Sequence, residues 1–300
     1  MNTSNYNTLN NHTAAGLFDA EGSFIVSVLK DTGRKLGYIL IISVEMGLNH
    51  KDKALLDLFQ NTLGVGNIYY NTNDKTYKWK VSNLQDINSV ILPFFTQYRL
   101  FTQKRMDFVL FSKVIDIVNC KNHLTLSGMQ DIINIKASLN LGLSPSLILA
   151  FPNTVAVERI ETNVTAYINP FWLKGFTEGC FFVSIYKSPK SRTGWAVQLV
   201  FKITQHIRDV HLLNLVADYL KVGRIEIRKG EACDFTVTSI KDIENVIVPF
   251  FLQYPLQGSK LFNFESFNMV VEIMKAKGHL TEQGIEKIRV IKSNMNILSR

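Results

Sequence analysis

Two glutamates, Glu21 and Glu178, each open a stretch of chain that repeats the other at a shift of 157 residues. With the glutamates superposed, Gly22-Ser23-Phe24-Ile25-Val26-Ser27 lies on Gly179-Cys180-Phe181-Phe182-Val183-Ser184, and Val65-Gly66 lies on Val222-Gly223. One residue is then dropped and the match continues at a shift of 156. Pro93-Phe94-Phe95 meets Pro249-Phe250-Phe251, Lys104 meets Lys260, and His123-Leu124-Thr125 meets His279-Leu280-Thr281. Solenoid repeats run to about 20–50 residues, so this period means a duplicated domain. The chain must build one fold twice, and any site near the dyad comes as a pair.

The 300 residues divide into an N-terminal extension (1–12), a first copy (13–140), a linker (141–169) and a second copy (170–300). Each copy is large enough to bury its own core. The formal charge of +8 and pI near 9.3 favour a polyanionic partner, nucleic acid or an anionic surface. The apolar run from Leu139 to Phe151 is too short to span a membrane and is broken by Pro145, so no membrane partner is expected. Cys120, Cys180 and Cys233 stand singly, without disulfide or zinc spacing. Residues Met1 to His12 hold no Lys or Arg, unlike a transit peptide, which agrees with synthesis inside an organelle.

Within the first copy the pattern predicts a helix over 13–20 and β-prone runs over 23–30 and 38–46, joined by the turn Asp31-Thr32-Gly33-Arg34. A helix capped by Asn49 follows, then a second hairpin over 66–70 and 77–82. Further helices are expected from Asp86, over 104–119, and over 125–140 with Thr125 as cap. The order αββαββα, met twice, predicts an α+β chain of two pseudo-symmetric domains. Each is a four-stranded antiparallel sheet with helices on one face and the other face open. Side by side, the two sheets would make one long concave surface.

Before Glu21, Gly16 and Ala20 are four apart and share a helix face on which a second helix can approach closely. If the equivalent helix of the second copy packs there, Glu21 and Glu178 meet at the two helix ends. Two close carboxylates require a cation between them, and oxygen-only ligation suits Mg²⁺ shared with substrate phosphates.

Ala14-Ala15-Gly16-Leu17-Phe18-Asp19-Ala20-Glu21-Gly22 resembles the LAGLIDADG motif of homing endonucleases, and the likeness runs from about residue 10 to 297. It is closest to single-chain, two-motif members encoded in fungal mitochondrial introns. The resemblance implies a monomeric endonuclease of mitochondrial location that cleaves double-stranded DNA at a long asymmetric site. It further implies cleavage across the minor groove, 3′ overhangs and intron mobility. It assigns the metal to Glu21 and Glu178, with Mg²⁺ or Mn²⁺ active and Ca²⁺ bound without cleavage. Glu45 and Lys202, each 24 residues after its acid, match the family's polar residues that organise water. Lys104 and Lys260 match its active-site lysine position. The alternative is an intron RNA maturase, or a catalytically weakened DNA-binding relative. One departure bears on this choice: two residues separate Gly175 from Glu178, whereas four separate Gly16 from Glu21. Two residues turn a helix by about 200°, so the second helix should lose its packing face or distort.

Strand side chains alternate faces, so parity from the acids selects candidates for the DNA face. In the first copy these are Ser27, Leu29, Ile39, Ile41 and Ser43, with Asn67, Tyr69, Lys78, Lys80 and Ser82 from the second hairpin. The second copy contributes Ser184, Tyr186, Gln198 and Val200, with Arg224, Glu226, Arg228, Thr236 and Thr238. These residue types can read base edges or meet thymine methyls in a major groove. Lys30, Arg34, Lys35, Lys187, Lys190 and Arg192, in the turns, suit phosphates. His123 and His279 lie far along the chain from the acids and are expected to be structural.

Overall fold

The hairpins predicted from alternation form, and each continues into a four-stranded antiparallel sheet. A computed structural model describes residues 7–159, 167–177 and 180–298. The chain divides into two units, Met1–Asn11 with Glu21–Ala166, and His12–Ala20 with Tyr167–Arg300. The helix α1 (Asn11–Glu21) therefore belongs mainly with the second unit, although it leads straight into the first strand of the first.

In the first unit β1 (Gly22–Lys30), β2 (Tyr38–Asn49), β3 (Asn67–Asn71) and β4 (Thr76–Val81) lie in the order β1-β2-β4-β3. The helix α2 (Lys53–Leu63) joins the hairpins. After β4 come α3 (Leu84–Asp86), a π-turn over Ile87–Ile91, α4 (Leu92–Gln97), α5 (Lys104–Asn119), α6 (Leu126–Ala137) and α7 (Pro145–Ala150). The predicted helix from Asp86 starts earlier, because the Asn83 side chain accepts from Gln85 N–H. Its ladder widens into the π-turn just before Pro93, whose ring cannot donate and crowds the preceding turn. Asn49 caps a 3₁₀ turn ahead of α2, and Thr125 caps α6 by accepting from Gly128 N–H at 3.0 Å.

The second unit repeats this order: α8 (Pro170–Phe176), β5 (Cys180–Lys187), β6 (Trp195–His206), α9 (Val210–Leu220), β7 (Arg224–Ile227) and β8 (Ala232–Val237). Its helices α10 (Ile240–Asp242), α11 (Val248–Gln253), α12 (Ser259–Lys275) and α13 (Glu282–Leu298) follow, and the sheet order is β5-β6-β8-β7.

One face of each sheet is core. Phe24, Val26, Val44, Met46, Trp79 and Val81 are buried in the first unit, and Phe181, Val183, Leu199, Phe201, Phe235 and Val237 in the second. Phe24 packs with Phe95, Phe108 and Phe111 at centroid distances of 5.3–5.5 Å. Its counterpart Phe181 packs with Phe251, Phe264 and Phe267 at 5.3–5.5 Å, so the duplicated phenylalanines build the same core twice. The β1–β2 and β5–β6 loops share their hydrogen bonds. Asp31 N–H donates to Gly37 O and Ser188 N–H to Gly194 O, each closed by a glycine at φ 73°. Only the glycine is common to the two closures, since that φ disfavours a β-carbon.

The linker is not free chain in its described part. The α7 helix follows a Ser144 cap, Phe151 packs on Tyr38 at 5.1 Å, and Val157 N–H donates to Asn134 O.

Candidate nucleic-acid interface and acidic helix ends

Helix α1 is built of small residues because it crosses α8 at backbone contact. A Cβ on Gly16 would lie 2.1 Å from Trp172 O, and one on Gly175 would lie 2.1 Å from Thr13 O. Glycine is thus required on both sides of the crossing. Gly175 keeps the packing face, which the shortened second motif was expected to do only with an altered helix. The physical reason is that α8 stops at Phe176. Thr177 caps it with ψ 75°, its hydroxyl donating to Leu173 O at 2.6 Å. The deletion is taken from the helix end, not from the crossing. Glu21 is the last residue of α1 and is exposed, whereas Asp19 is buried. Glu178 and Gly179 lie outside the described residues.

The open face of the first sheet carries Ser27, Leu29, Ile39, Ile41, Ser43 and Glu45. They stand opposite one another in the pairs Ser23↔Glu45, Ile25↔Ser43, Ser27↔Ile41 and Leu29↔Ile39. Asn67 and Tyr69 face Lys80 and Lys78 across the second hairpin, and Ser82 lies just past β4. Glu45 is the hub. Lys80 Nζ stands 2.9 Å from its Oε1 and Lys78 Nζ 3.4 Å from its Oε2. The Ser43 hydroxyl donates to Oε1 at 2.8 Å. Ser43 is 1% exposed, so it supports Glu45 and does not present itself to solvent. Partial burial would raise the Glu45 carboxyl, but hydrogen bonds from Lys80 and Ser43 and the two lysine charges outweigh it and hold the pKa below its ordinary value.

The second sheet inverts the charges. Lys202 replaces Glu45, and Asp234 stands where Lys78 stands in the first copy. Asp234 is 1% exposed and accepts four bonds: from Lys202 Nζ at 3.1 Å, Thr204 Oγ1 at 2.6 Å, Arg228 Nε at 2.6 Å and Arg228 Nη2 at 2.9 Å. Burial would raise its carboxyl, but the bonds from Thr204, Arg228 and Lys202 hold the pKa below its ordinary value. Beside it, Arg224 donates to Glu226 at 2.8 Å and to the Thr238 hydroxyl at 3.1 Å, while Thr236 donates to Glu226 at 3.3 Å. Thr236, like Ser43, is buried beneath its carboxylate. Ser184, Tyr186, Gln198 and Val200 share this open face, with Ser184↔Gln198 paired directly.

Lys30, Arg34, Lys35, Lys187, Lys190 and Arg192 are exposed in or beside the two hairpin loops. Arg34 is turned onto Asp31 at 3.3 Å, an exposed pair that contributes little. Lys104 is the first residue of α5 and Lys260 the second of α12, both half-buried. His123 and His279 sit in matching 3₁₀ turns, and burial lowers the His279 pKa.

The sequence profile of the LAGLIDADG endonuclease family matches residues 14–115 and 173–271, one stretch in each copy. This chain belongs to the LAGLIDADG endonuclease family. It is 35% identical over 301 residues to the probable intron-encoded endonuclease 2 of Neurospora crassa, an alignment covering 96% of this chain and 65% of that protein. The probable intron-encoded endonuclease 3 of the same organism is 36% identical over 282 residues, covering 92% and 52%. The chain thus spans about half to two thirds of the length of these relatives. Among solved structures, the I-LtrWI LAGLIDADG homing endonuclease bound to target DNA is 52% identical with a TM-score of 0.93, covering 95% of this chain and 97% of that one. I-SmaMI bound to an uncleaved DNA target in the presence of calcium ions is 38% identical with a TM-score of 0.93, covering 96% and 99%. The α+β architecture of two four-stranded antiparallel sheets is the fold of these LAGLIDADG structures.

Three residues of this LAGLIDADG chain were not expected from the sequence: Asp234, which accepts from Lys202, Thr204, which donates to Asp234, and Phe182, which is exposed on the second open face. Stepping back by two from Ser184 would have found Phe182. Asp234 shares the parity of Thr236 and Thr238, but an acid on a basic face gave no reason to select it. Among the described residues, no three His, Cys, Asp or Glu side chains gather as a metal site, and no helix is long and apolar enough to cross a membrane.

Proposed function

We propose that this chain is a divalent-metal-dependent, site-specific endonuclease that cuts double-stranded DNA, acting as a monomer in the homing of its own intron. The observation that carries the reading is the pair of open sheet faces, equivalent in backbone and different in side chains, each edged by exposed basic loops. A two-stranded ribbon fits the major groove, and two unlike ribbons suit an asymmetric site. Exposed Leu29, Ile41, Tyr69, Phe182 and Tyr186 add apolar contact on the same faces. The target DNA bound by I-LtrWI and I-SmaMI supports the substrate class. The intron-encoded relatives, some named for ND4 and cox1 introns, support a mitochondrial origin.

The residues present fit a hard divalent cation. Glu21 offers an exposed carboxylate at the C-terminal end of α1, where the helix dipole favours positive charge. Held by Glu21 and Glu178, Mg²⁺ or Mn²⁺ would activate water and stabilise the leaving oxygen, and Ca²⁺ would bind without supporting cleavage. Lys104 and Lys260 stabilise charge on the two scissile phosphates. Glu45, with Lys78 and Lys80, and Lys202, with Asp234, organise solvent differently at the two centres. Ser43 and Thr236 act by holding Glu45 and Glu226, while Gln198, Arg224 and Arg228 meet the groove directly. Cleavage across the minor groove would leave 3′ overhangs.

The test is cleavage of a duplex spanning the uninterrupted host-gene junction. The expected result is Mg²⁺-dependent double-strand cleavage, abolished by EDTA and reduced at least about 10³-fold in Glu21→Gln with Glu178→Gln. Cleavage surviving that double substitution removes the assigned site. Specific intron RNA binding without cleavage at any Mg²⁺ concentration replaces the reading with a maturase.

A further inference from the structure

Away from the sheet faces, the segment after α7 holds the start of the helix that carries Lys104. Arg159 Nη1 donates to Asp107 Oδ1 at 2.7 Å and to Ser138 O at 2.6 Å, and Nη2 donates to Gln103 O at 3.0 Å. Gln103 immediately precedes α5, Asp107 lies in its first turn, and Ser138 ends α6. Lys104 lies between two of these anchored residues. Backbone donors of the same turn are also engaged: Lys104 N–H donates to the Thr102 hydroxyl at 3.1 Å, and Met106 N–H donates to Gln103 O at 3.0 Å. Gln103 O is shared by Met106 N–H, Asp107 N–H at 3.3 Å and the guanidinium, so Arg159 ties the carbonyl that starts the helix to the Asp107 carboxylate. Asp107 is 6% exposed, so its carboxylate depends on the guanidinium. A planar fork that meets three acceptors at once fixes their relative placement as a flexible ammonium cannot.

The second copy does not carry the acidic acceptor of this fork. The counterpart of Asp107 is Asn263, and α12 starts from Gly258 at φ 64° without a side-chain cap. The two lysine-bearing helices are therefore begun by different devices.

We propose that Arg159 is a positioning residue for Lys104. By holding Gln103 and Asp107 it sets the first turn of α5, and with it the point from which the Lys104 ammonium meets the phosphate of one DNA strand. The inference rests on the nuclease reading. It adds that the linker takes part in the cleavage centre that Lys104 serves.

The experiment uses the full chain with Mg²⁺ and the host-gene junction duplex, each strand labelled separately, under single-turnover conditions. Lys104→Ala identifies the strand that depends on Lys104. Arg159→Ala is expected to slow that same strand about tenfold or more, leave the other within about twofold, and accumulate nicked duplex. Arg159→Lys keeps a charge on Asp107 but loses the fork, so it should fall between Arg159→Ala and the unaltered chain. Binding of the same duplex in Ca²⁺ should be unchanged. Equal slowing of both strands, or an unchanged strand ratio with a lowered melting temperature, overturns the proposal and leaves Arg159 a structural residue. If Arg159→Ala does not fold, Arg159→Lys and Asp107→Asn carry the same expectation. Failure of the unaltered chain to cut either strand overturns the nuclease reading itself.

Discussion

Glu45 and Asp234 show how one backbone frame accepts opposite charge arrangements. Glu45 sits on a middle strand with its lysines on the neighbour, while Lys202 sits on the equivalent strand with its aspartate on the neighbour. Either sign gives an attractive cross-strand pair, so the sheet tolerates the exchange while the field above it changes. Both carboxyls are held below their ordinary values, so the unfolded chain takes up protons before the folded one as pH falls. Their stabilisation is complete at neutral pH and is lost as pH drops through and below about 4. Urea midpoints measured at falling pH should therefore decline. The decline should be shallower in the double variant Glu45→Gln, Asp234→Asn, and an unaltered slope would mean that these carboxylates do not titrate as a folded-state network. The basic residues of this face were legible from alternation alone. Glu45 and Glu226 were named with them, but which cation each carboxylate holds was not legible, because parity gives a face and not a partner. Lys202 and Asp234 are 32 residues apart and meet only through the β6–β8 register.

At the scale of elements, the α1–α8 crossing decides most. The sequence displayed the small residues of α1 and correctly suggested close approach. It also suggested that the shorter second motif would lose its face or distort its helix. The face is kept because α8 ends at Phe176 and does not run on to the acid as a helix. Helix ends depend on local capping and surroundings, and periodicity locates them poorly. The crossing makes a quantitative prediction. Gly16→Ala would drive a Cβ against the backbone at Trp172 and Phe176, which cannot turn aside, and should cost about 3 kcal/mol. Gly37→Ala meets nothing within 4 Å and has only its φ of 73° to oppose it, so it should cost about 1 kcal/mol. Denaturation of the two variants would reverse this order only if the helices did not cross at Gly16.

For the whole molecule, duplication supplies two equivalent frames and divergence makes them read differently. The first open face presents Ser27, Ile39, Ile41 and Tyr69 around an acid hub, and the second presents Gln198, Arg224 and Arg228 around a buried aspartate. The loop cations are separate from this chemistry. If they hold phosphates, removing Lys187, Lys190 and Arg192 together should reduce the slope of log affinity against log salt by about three, and by a similar amount on any DNA sequence. Gln198→Ala should leave that slope alone and weaken binding only to the specific site. Anisotropy titrations in Ca²⁺ over a salt series separate the two outcomes, and an unchanged slope in the loop variant would remove the phosphate role.

The sequence by itself determined the duplication, the αββαββα order and the face on which each strand residue stands. These follow from a repeat and from a side-chain period of two, and neither needs a distant contact to be read. Tertiary structure alone decided which cation each carboxylate holds, the early end of α8 and the Arg159 clamp on α5. Arg159 and Asp107 lie 52 residues apart, and no local pattern encodes a meeting set by how the helices pack.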